Sequence, residues 1–148
     1  HPGISAVQAA SAAAGALIGH DFCCISLSDL LTPVNDIRRR LKAAAEADFV
    51  TALYNPRSER RTGMIEETKE LFLNHRPPQT PVVVARSLGR PAQQVELTTL
   101  WAFDPGSIDM LSIVLIGATT SRVLKRGDGR TLAFTPRGYE RKGEQGAQ

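Results

Sequence analysis

Four turns hold the residues of this chain best suited to chemistry. The first is Pro2-Gly3-Ile4-Ser5-Ala6, where Ser5 has the side chain to cap the Ala-rich helix that begins beside it. Turns that expose helix N-terminal amides commonly hold small polar ligands. The second is Ser28-Asp29-Leu30-Leu31, just after Ser26. A carboxylate at Asp29 could accept a proton or bind a substrate nitrogen, and the same residues equally make an ordinary Asx turn. The third is Leu53-Tyr54-Asn55-Pro56. Pro56 steers Asn55 away from helical geometry, and Tyr54, ending a strand, can wall a pocket or stand as a plain ring on the sheet. The fourth is Ala85-Arg86-Ser87-Leu88-Gly89-Arg90. Arg57, Arg60, Arg86 and Arg90 lie in or beside these turns, and their forked, permanent charge suits carboxylates as well as a solvated surface. His20 and Asp21 are neighbours, a weak pairing for catalysis.

The elements that must position these turns alternate. A helix is predicted over residues 5–18, then a strand over Phe22–Leu27. Thr32-Pro33 reads as an N-cap with proline in the first helical position, and Val34, Ile37, Leu41 and Ala44 fall at helical spacing. Phe49–Tyr54 is a β-branched and aromatic strand. Ser58 is read as the cap of a third helix with Met64, Ile65, Thr68, Leu71 and Phe72 on one face, ended by Pro77-Pro78. Pro81–Ala85 and Gln94–Leu100 read as strands joined as a hairpin, and Leu111–Ile116 as an apolar strand central in the sheet. Thr131–Phe134 is expected as an edge strand. The polar tail from Arg137 is expected to be disordered, with 1–139 forming the domain and 140–148 lying beyond it. Helices and strands that alternate early, with strands clustering late, give an α/β fold, a mixed sheet flanked by helices. In such a sheet ligands bind beyond the carboxyl ends of strands, so several of the four turns can share one cleft.

Composition narrows the classes. The chain has 148 residues, 42% hydrophobic and 22% charged, enough for one domain with a real core. It has no apolar run of 18 residues, which argues against a membrane helix. A net charge of +3 suits an acidic partner or a solvated surface, while 5% aromatics and no zinc-finger or helix-turn-helix signature argue against nucleic acid. Adjacent Cys23 and Cys24 cannot readily bridge, since successive strand side chains point to opposite faces. They read as buried small hydrophobes in a reducing cytoplasm. No P-loop, GxSxG, HExxH or dinucleotide glycine fingerprint occurs, so motifs alone assign no reaction.

Taken in order, PGISA, SLSDLLTP, ALYNPRS, ARSLGRP with QQVELTTL, IVLIGATTSR and TPRGY resemble the precorrin-3B C17-methyltransferases, tetrapyrrole methylases of the cobalamin pathway. The resemblance runs from Pro2 to about Tyr139. HDFCCISLSDLLTP and ALYNPRS belong to this branch, whereas PGISA is shared with sirohaem-forming uroporphyrinogen methylases and diphthine synthases. The resemblance implies two α/β domains, S-adenosylmethionine in the cleft between them and a homodimer; the cysteines suit a cytoplasmic protein, and a sulfonium donor, its methyl already activated, calls for no metal. It places this chain as the C-terminal domain of the fold. The GxGPG and GDP-containing loops of the family do not occur in the chain, and His1 stands where a small apolar residue is usual. The chain is therefore expected to be part of a larger enzyme and inactive alone.

By motif, the resemblance puts Ser5, Ala6, Tyr54 and Gly89 at the cofactor, with Leu53, Asn55 and Ala118 as neighbours. The implied reaction is methylation of C17 of precorrin-3B with ring contraction to precorrin-4. The resemblance names no general base. The macrocycle carries acetates and propionates, which makes Arg57, Arg86 and Arg90, with Asp29, the expected substrate side. The alternatives are a tetrapyrrole methylase acting on another corrin carbon or a sirohaem precursor, and a non-catalytic dimerising fragment.

Overall fold

A computed structural model describes residues 2–57 and 63–138. His1, the expected Ser58 cap, Arg60 and the 140–148 tail lie outside the described residues.

Ser5 opens α1 (Ala6–Ala14) with a capping box. Its hydroxyl accepts from the Gln8 amide at 3.5 Å, and its own amide donates to the Gln8 side chain at 2.9 Å. The helix stops short of the expected residue 18 because Gly15 turns out at φ 135° and pairs, as β1 (Gly15–Ala16), with β8 (Thr131–Phe134). A Cβ on Gly15 would lie 2.3 Å from the Ala133 carbonyl oxygen, so only glycine permits this approach.

Next come β2 (Phe22–Ser26) and α2 (Val34–Glu46). The N-cap of α2 is Pro33, not Thr32. Its extended ψ of 137° leaves it outside the helix while its carbonyl accepts from Asp36 and Ile37. Then follow β3 (Val50–Tyr54), α3 (Gly63–Leu73), β4 (Pro81–Arg86) and β5 (Gln94–Thr99). A short 3-10 turn at Pro105–Ser107 precedes β6 (Ser112–Ile116), and β7 (Arg122–Lys125) precedes β8.

The main sheet has the order β2-β3-β6-β4-β5. β2 and β3 are parallel, and every other neighbouring pair is antiparallel. β6 is the central strand, with all five residues buried, as its unbroken apolar run predicts. Alternate residues feed two cores. Leu53, Val82, Val84, Val114 and Ile116 pack with Ile37 and Leu41 of α2 and Ile65 and Phe72 of α3. Val50, Ala52, Val83, Ala85, Ile113 and Leu115 pack with Val7, Ala10 and Ala14 of α1. The molecule is thus a mixed α/β sheet between helices.

Two expectations are corrected here. β8 is the middle strand of a second sheet, β1-β8-β7, rather than an edge, because Gly15–Ala16 pairs along its open side. Cys24 is exposed and Cys23 half-buried, rather than both being buried. β2 is an edge strand, and α1 packs over β4, β5 and β6, leaving the Phe22, Cys24 and Ser26 face of β2 uncovered.

Candidate functional site

The parallel directions of β2, β3 and β4, with β6 running the other way, bring the turns after β3 and β4 to the same end as the segment before β6. The N-terminus of α1 reaches that end too. There an open-sided cavity of about 240 Å³ is lined by Ala6, Tyr54, Asn55, Ser87, Leu88 and Arg90, together with Met110, Leu111, Ser112 and Ile113. Three of the four turns singled out in the sequence therefore meet. Ser5 adjoins the cavity through Ala6, but its hydroxyl is committed to capping α1. Leu53 is fully buried in the core under α2 and α3 and does not line the cavity. Gly89, at φ 72°, sits between Leu88 and Arg90, and its amide donates to the Gln93 side chain at 2.8 Å.

The backbone is unusual at this end. Asn55 has φ 47° and Ser87 φ 52°, and both line the cavity. Non-glycine residues in the left-handed region store strain, which the surrounding structure must impose. The Asn55 side chain donates to Ser26 Oγ at 3.1 Å, and the Ser28 amide donates to the same oxygen at 3.3 Å. The second turn is thereby tied beside the third. Asp29 itself is exposed and does not line the cavity.

Tyr54 is partly buried against the α1-side core, and its backbone carbonyl accepts from the Leu27 amide at 2.9 Å. Partial burial pushes the nearby Cys24 thiol above its ordinary pKa. The charge of Cys23 adds to that rise and a hydrogen bond with Tyr54 opposes it.

The arginines divide. Arg90 is exposed at the cavity. Arg57 is committed inside the protein, donating to Glu66 Oε1 at 2.9 Å and to the Pro105 carbonyl at 2.8 Å. Arg86 pairs with Asp109 at 3.1 Å and donates to the Ser107 carbonyl. These two guanidinium groups hold the loop before β6 rather than pointing free charge outward.

Ala118 does not join this group. It is buried beyond the C-terminal end of β6, at the opposite end of the sheet. His20 and Asp21 form an exposed pair at 3.5 Å, away from the cavity. Met110–Ile113 escaped the sequence reading because Leu111 looked like the first residue of the apolar strand. The Asp104-Pro105-Gly106 turn signal upstream was the available hint that a shaped loop precedes β6. Among the described residues, no group of three or more His, Cys, Asp or Glu gathers to hold a metal, and no helix is long and apolar enough to cross a membrane.

The family model for Tetrapyrrole (Corrin/Porphyrin) Methylases matches residues 1–104. A Precorrin-3B C(17)-methyltransferase of Sinorhizobium sp is 44% identical over 138 residues, 93% of this chain and 54% of that protein. A Probable cobalt-factor III C(17)-methyltransferase of Salmonella typhimurium is 47% identical over 138 residues, covering 93% of this chain and 55% of its own length. The crystal structure of the methyltransferase CobJ superposes with a TM-score of 0.82 at 38% identity, over 91% of this chain and 54% of that one. The chain thus spans about half the length of the curated relatives it matches.

Proposed function

The chain belongs to the tetrapyrrole methylase family, and we propose that it forms the adenosine-side wall of an S-adenosylmethionine cleft in a C17-methyltransferase acting on precorrin-3B. The carrying observation is the meeting of the Ala6, Tyr54-Asn55 and Ser87–Arg90 turns on one open cavity at the end of the sheet. Tyr54 offers aromatic area to a nucleoside, and the left-handed turns at Asn55 and Ser87 line the same cavity.

A sulfonium methyl is already activated by its positive sulfur. The protein has to align the nucleophilic carbon, methyl and sulfur in line and keep water out. The cavity is open on one side, so this reading assigns the rest of the enclosure to a second domain, and a cytoplasmic homodimer as the working form. The substrate is a macrocycle bearing acetates and propionates, and Arg90, exposed at the cavity rim, is the arginine placed to meet one of them. Arg57 and Arg86 have internal partners and Asp29 does not line the cavity, so this reading gives the role to Arg90 rather than to them. A cobalt-containing tetrapyrrole is the second reading, favoured by the 47% identity to the Salmonella relative beside 44% to the Sinorhizobium one.

The test compares the complete protein with the isolated 148-residue chain, using labelled S-adenosylmethionine and precorrin-3B. Methyl incorporation is expected from the complete protein and none from the chain alone. Turnover by the isolated chain above a no-enzyme control would overturn the half-cleft reading. No incorporation by the complete protein would overturn the activity.

A further inference from the structure

Met110 and Leu111 line the cavity while 63% and 55% exposed, so packing against a core does not hold them there. Their backbone is held by polar contacts instead. Asp109 Oδ1 accepts from the Leu111 amide at 2.9 Å and from the Ser112 hydroxyl at 2.7 Å. The Asp109 amide donates to Ser112 Oγ at 3.2 Å. The other carboxylate oxygen, Oδ2, faces Arg86 Nε at 3.1 Å, and the far end of the same guanidinium donates to the Ser107 carbonyl. Arg86 is the last residue of β4 and lies opposite Ser112 in the β4–β6 register. The next residue, Ser87, has left-handed backbone geometry, lines the cavity, and donates its amide to the Leu111 carbonyl at 3.3 Å.

Beside the Ser87–Leu111 backbone bond, the Arg86–Asp109 pair is the side-chain tie between two walls of the cavity. We propose that Arg86 and Asp109 are positioning residues, an ion pair that sets the Met110–Leu111 wall against the Ser87 turn so that the cofactor pocket is preformed. The inference rests on the cleft reading above. As an ion pair open to solvent on one side, the contact adds little to global stability. Its effect falls on where the loop sits, and a ligand cavity is sensitive to small displacements of its walls. The Asp109 carboxylate also neutralises Arg86, which distinguishes it from Arg90.

The experiment uses the complete protein and the variants Arg86→Gln, Asp109→Asn, Arg86→Lys and the double variant Arg86→Gln/Asp109→Asn. Binding of S-adenosylhomocysteine is measured by calorimetry, and KM is measured separately for S-adenosylmethionine and the tetrapyrrole. Each of Arg86→Gln and Asp109→Asn should raise the S-adenosylhomocysteine Kd and the S-adenosylmethionine KM about tenfold, the scale of one lost charged hydrogen bond. The tetrapyrrole KM at saturating cofactor and the melting temperature should stay close to those of the unaltered protein. The double variant should be no worse than either single one, and Arg86→Lys, which keeps the charge, should recover part of the affinity. If Asp109→Asn lowers the tetrapyrrole KM while Arg86→Gln raises it, with cofactor affinity unchanged, Arg86 is a substrate ligand and the proposal is overturned. Unchanged binding in the variants of a protein that does bind S-adenosylhomocysteine overturns the positioning role alone. Failure of the unaltered protein to bind it overturns the cleft reading itself.

Discussion

The two ends of the main sheet are built on opposite rules. At the end where β3 begins and β6 finishes, the Arg76 guanidinium is fully buried and donates to the carbonyls of Gly117, Ala44 and Phe49. Its Nε faces Asp48 at 3.5 Å, and the Phe72 ring lies 4.5 Å from its centre. Asp48 also accepts from the Thr119 amide and hydroxyl, at 2.9 and 2.6 Å, which pins the turn after β6. At the other end, Asn55 and Ser87 carry left-handed backbones, and Ile4, Leu30, Leu31, Met110 and Leu111 stand exposed. One end gathers polar groups inward around the Arg76 guanidinium, whose two terminal nitrogens are hydrogen-bonded and whose Nε has only the ion pair with Asp48. Left-handed non-glycine backbone occurs at both ends, at Asp48 as well as at Asn55 and Ser87, and what sets the second end apart is an open cavity walled by exposed apolar side chains, which is how a fold keeps a place for a ligand. Ala118 belongs to the closed end, and this is why its position after an apolar strand, so similar in sequence to that of Tyr54, leads to a different fate.

Breaking the closed end should have the largest effect. Arg76→Ala would take one partner from each of three carbonyls and from the Asp48 carboxylate and leave a void beside Phe72, at a cost of about 3–5 kcal/mol. Burial already pulls the Arg76 pKa down to about 10, with Asp48 and then Cys23 opposing that fall, so the group is charged at neutral pH. Urea unfolding of the variant measures the loss. A change well under the stated range would mean that the closed end relaxes around the missing side chain and that the comparison overstates its rigidity.

Tyr54→Ala probes the open end, where the expected cost is to binding rather than to folding. Removing the ring from the pocket wall should weaken S-adenosylmethionine binding to the complete protein by about 1–3 kcal/mol. The urea midpoint should move less than in Arg76→Ala, because Tyr54 is only partly buried. Calorimetry showing an unchanged dissociation constant would remove Tyr54 from the site.

Sequence made the open end more readable than the closed one. Tyr54-Asn55-Pro56 and Ser5 announce themselves because proline and capping chemistry act over a few residues, and β6 because an unbroken apolar run has few other homes. Arg76 gave no such signal. It looks like an ordinary basic residue near a helix end, and its partners at Asp48 and Gly117 are distant in sequence and supplied only by the tertiary fold. The same holds for Arg57 and Arg86, whose internal partners the sequence does not show. Each lies in a cleft-forming turn, and the acceptors that occupy them, Pro105 and Ser107, lie 48 and 21 residues away. Local patterns fix where a side chain begins, while long-range contacts decide whether its charge is free.

Cys23 and Cys24 sample the two faces of β2 and sharpen the comparison with the smallest effect. Cys23 packs against the core that includes α2 and α3, lies 3.6 Å from Thr51 Oγ1, and feels the charge of Arg76. Cys24 is exposed on the uncovered face, beside Tyr54. Burial is the main reason both thiols titrate above their ordinary value of 9.0. A raised folded pKa means that the native state holds these protons to higher pH than the unfolded chain does. Their contribution to stability is therefore complete below pH 9 and is lost as pH rises beyond it. Because the thiolate is the nucleophile, both residues should react with iodoacetamide more slowly at pH 7 than a cysteine in an unfolded peptide. Cys24 should react several-fold faster than Cys23, since access then decides the order. Peptide mapping by mass spectrometry after timed labelling reads both sites at once. Equal rates would show that the outer face of β2 is covered, and that the open end of the molecule is narrower than the structure makes it.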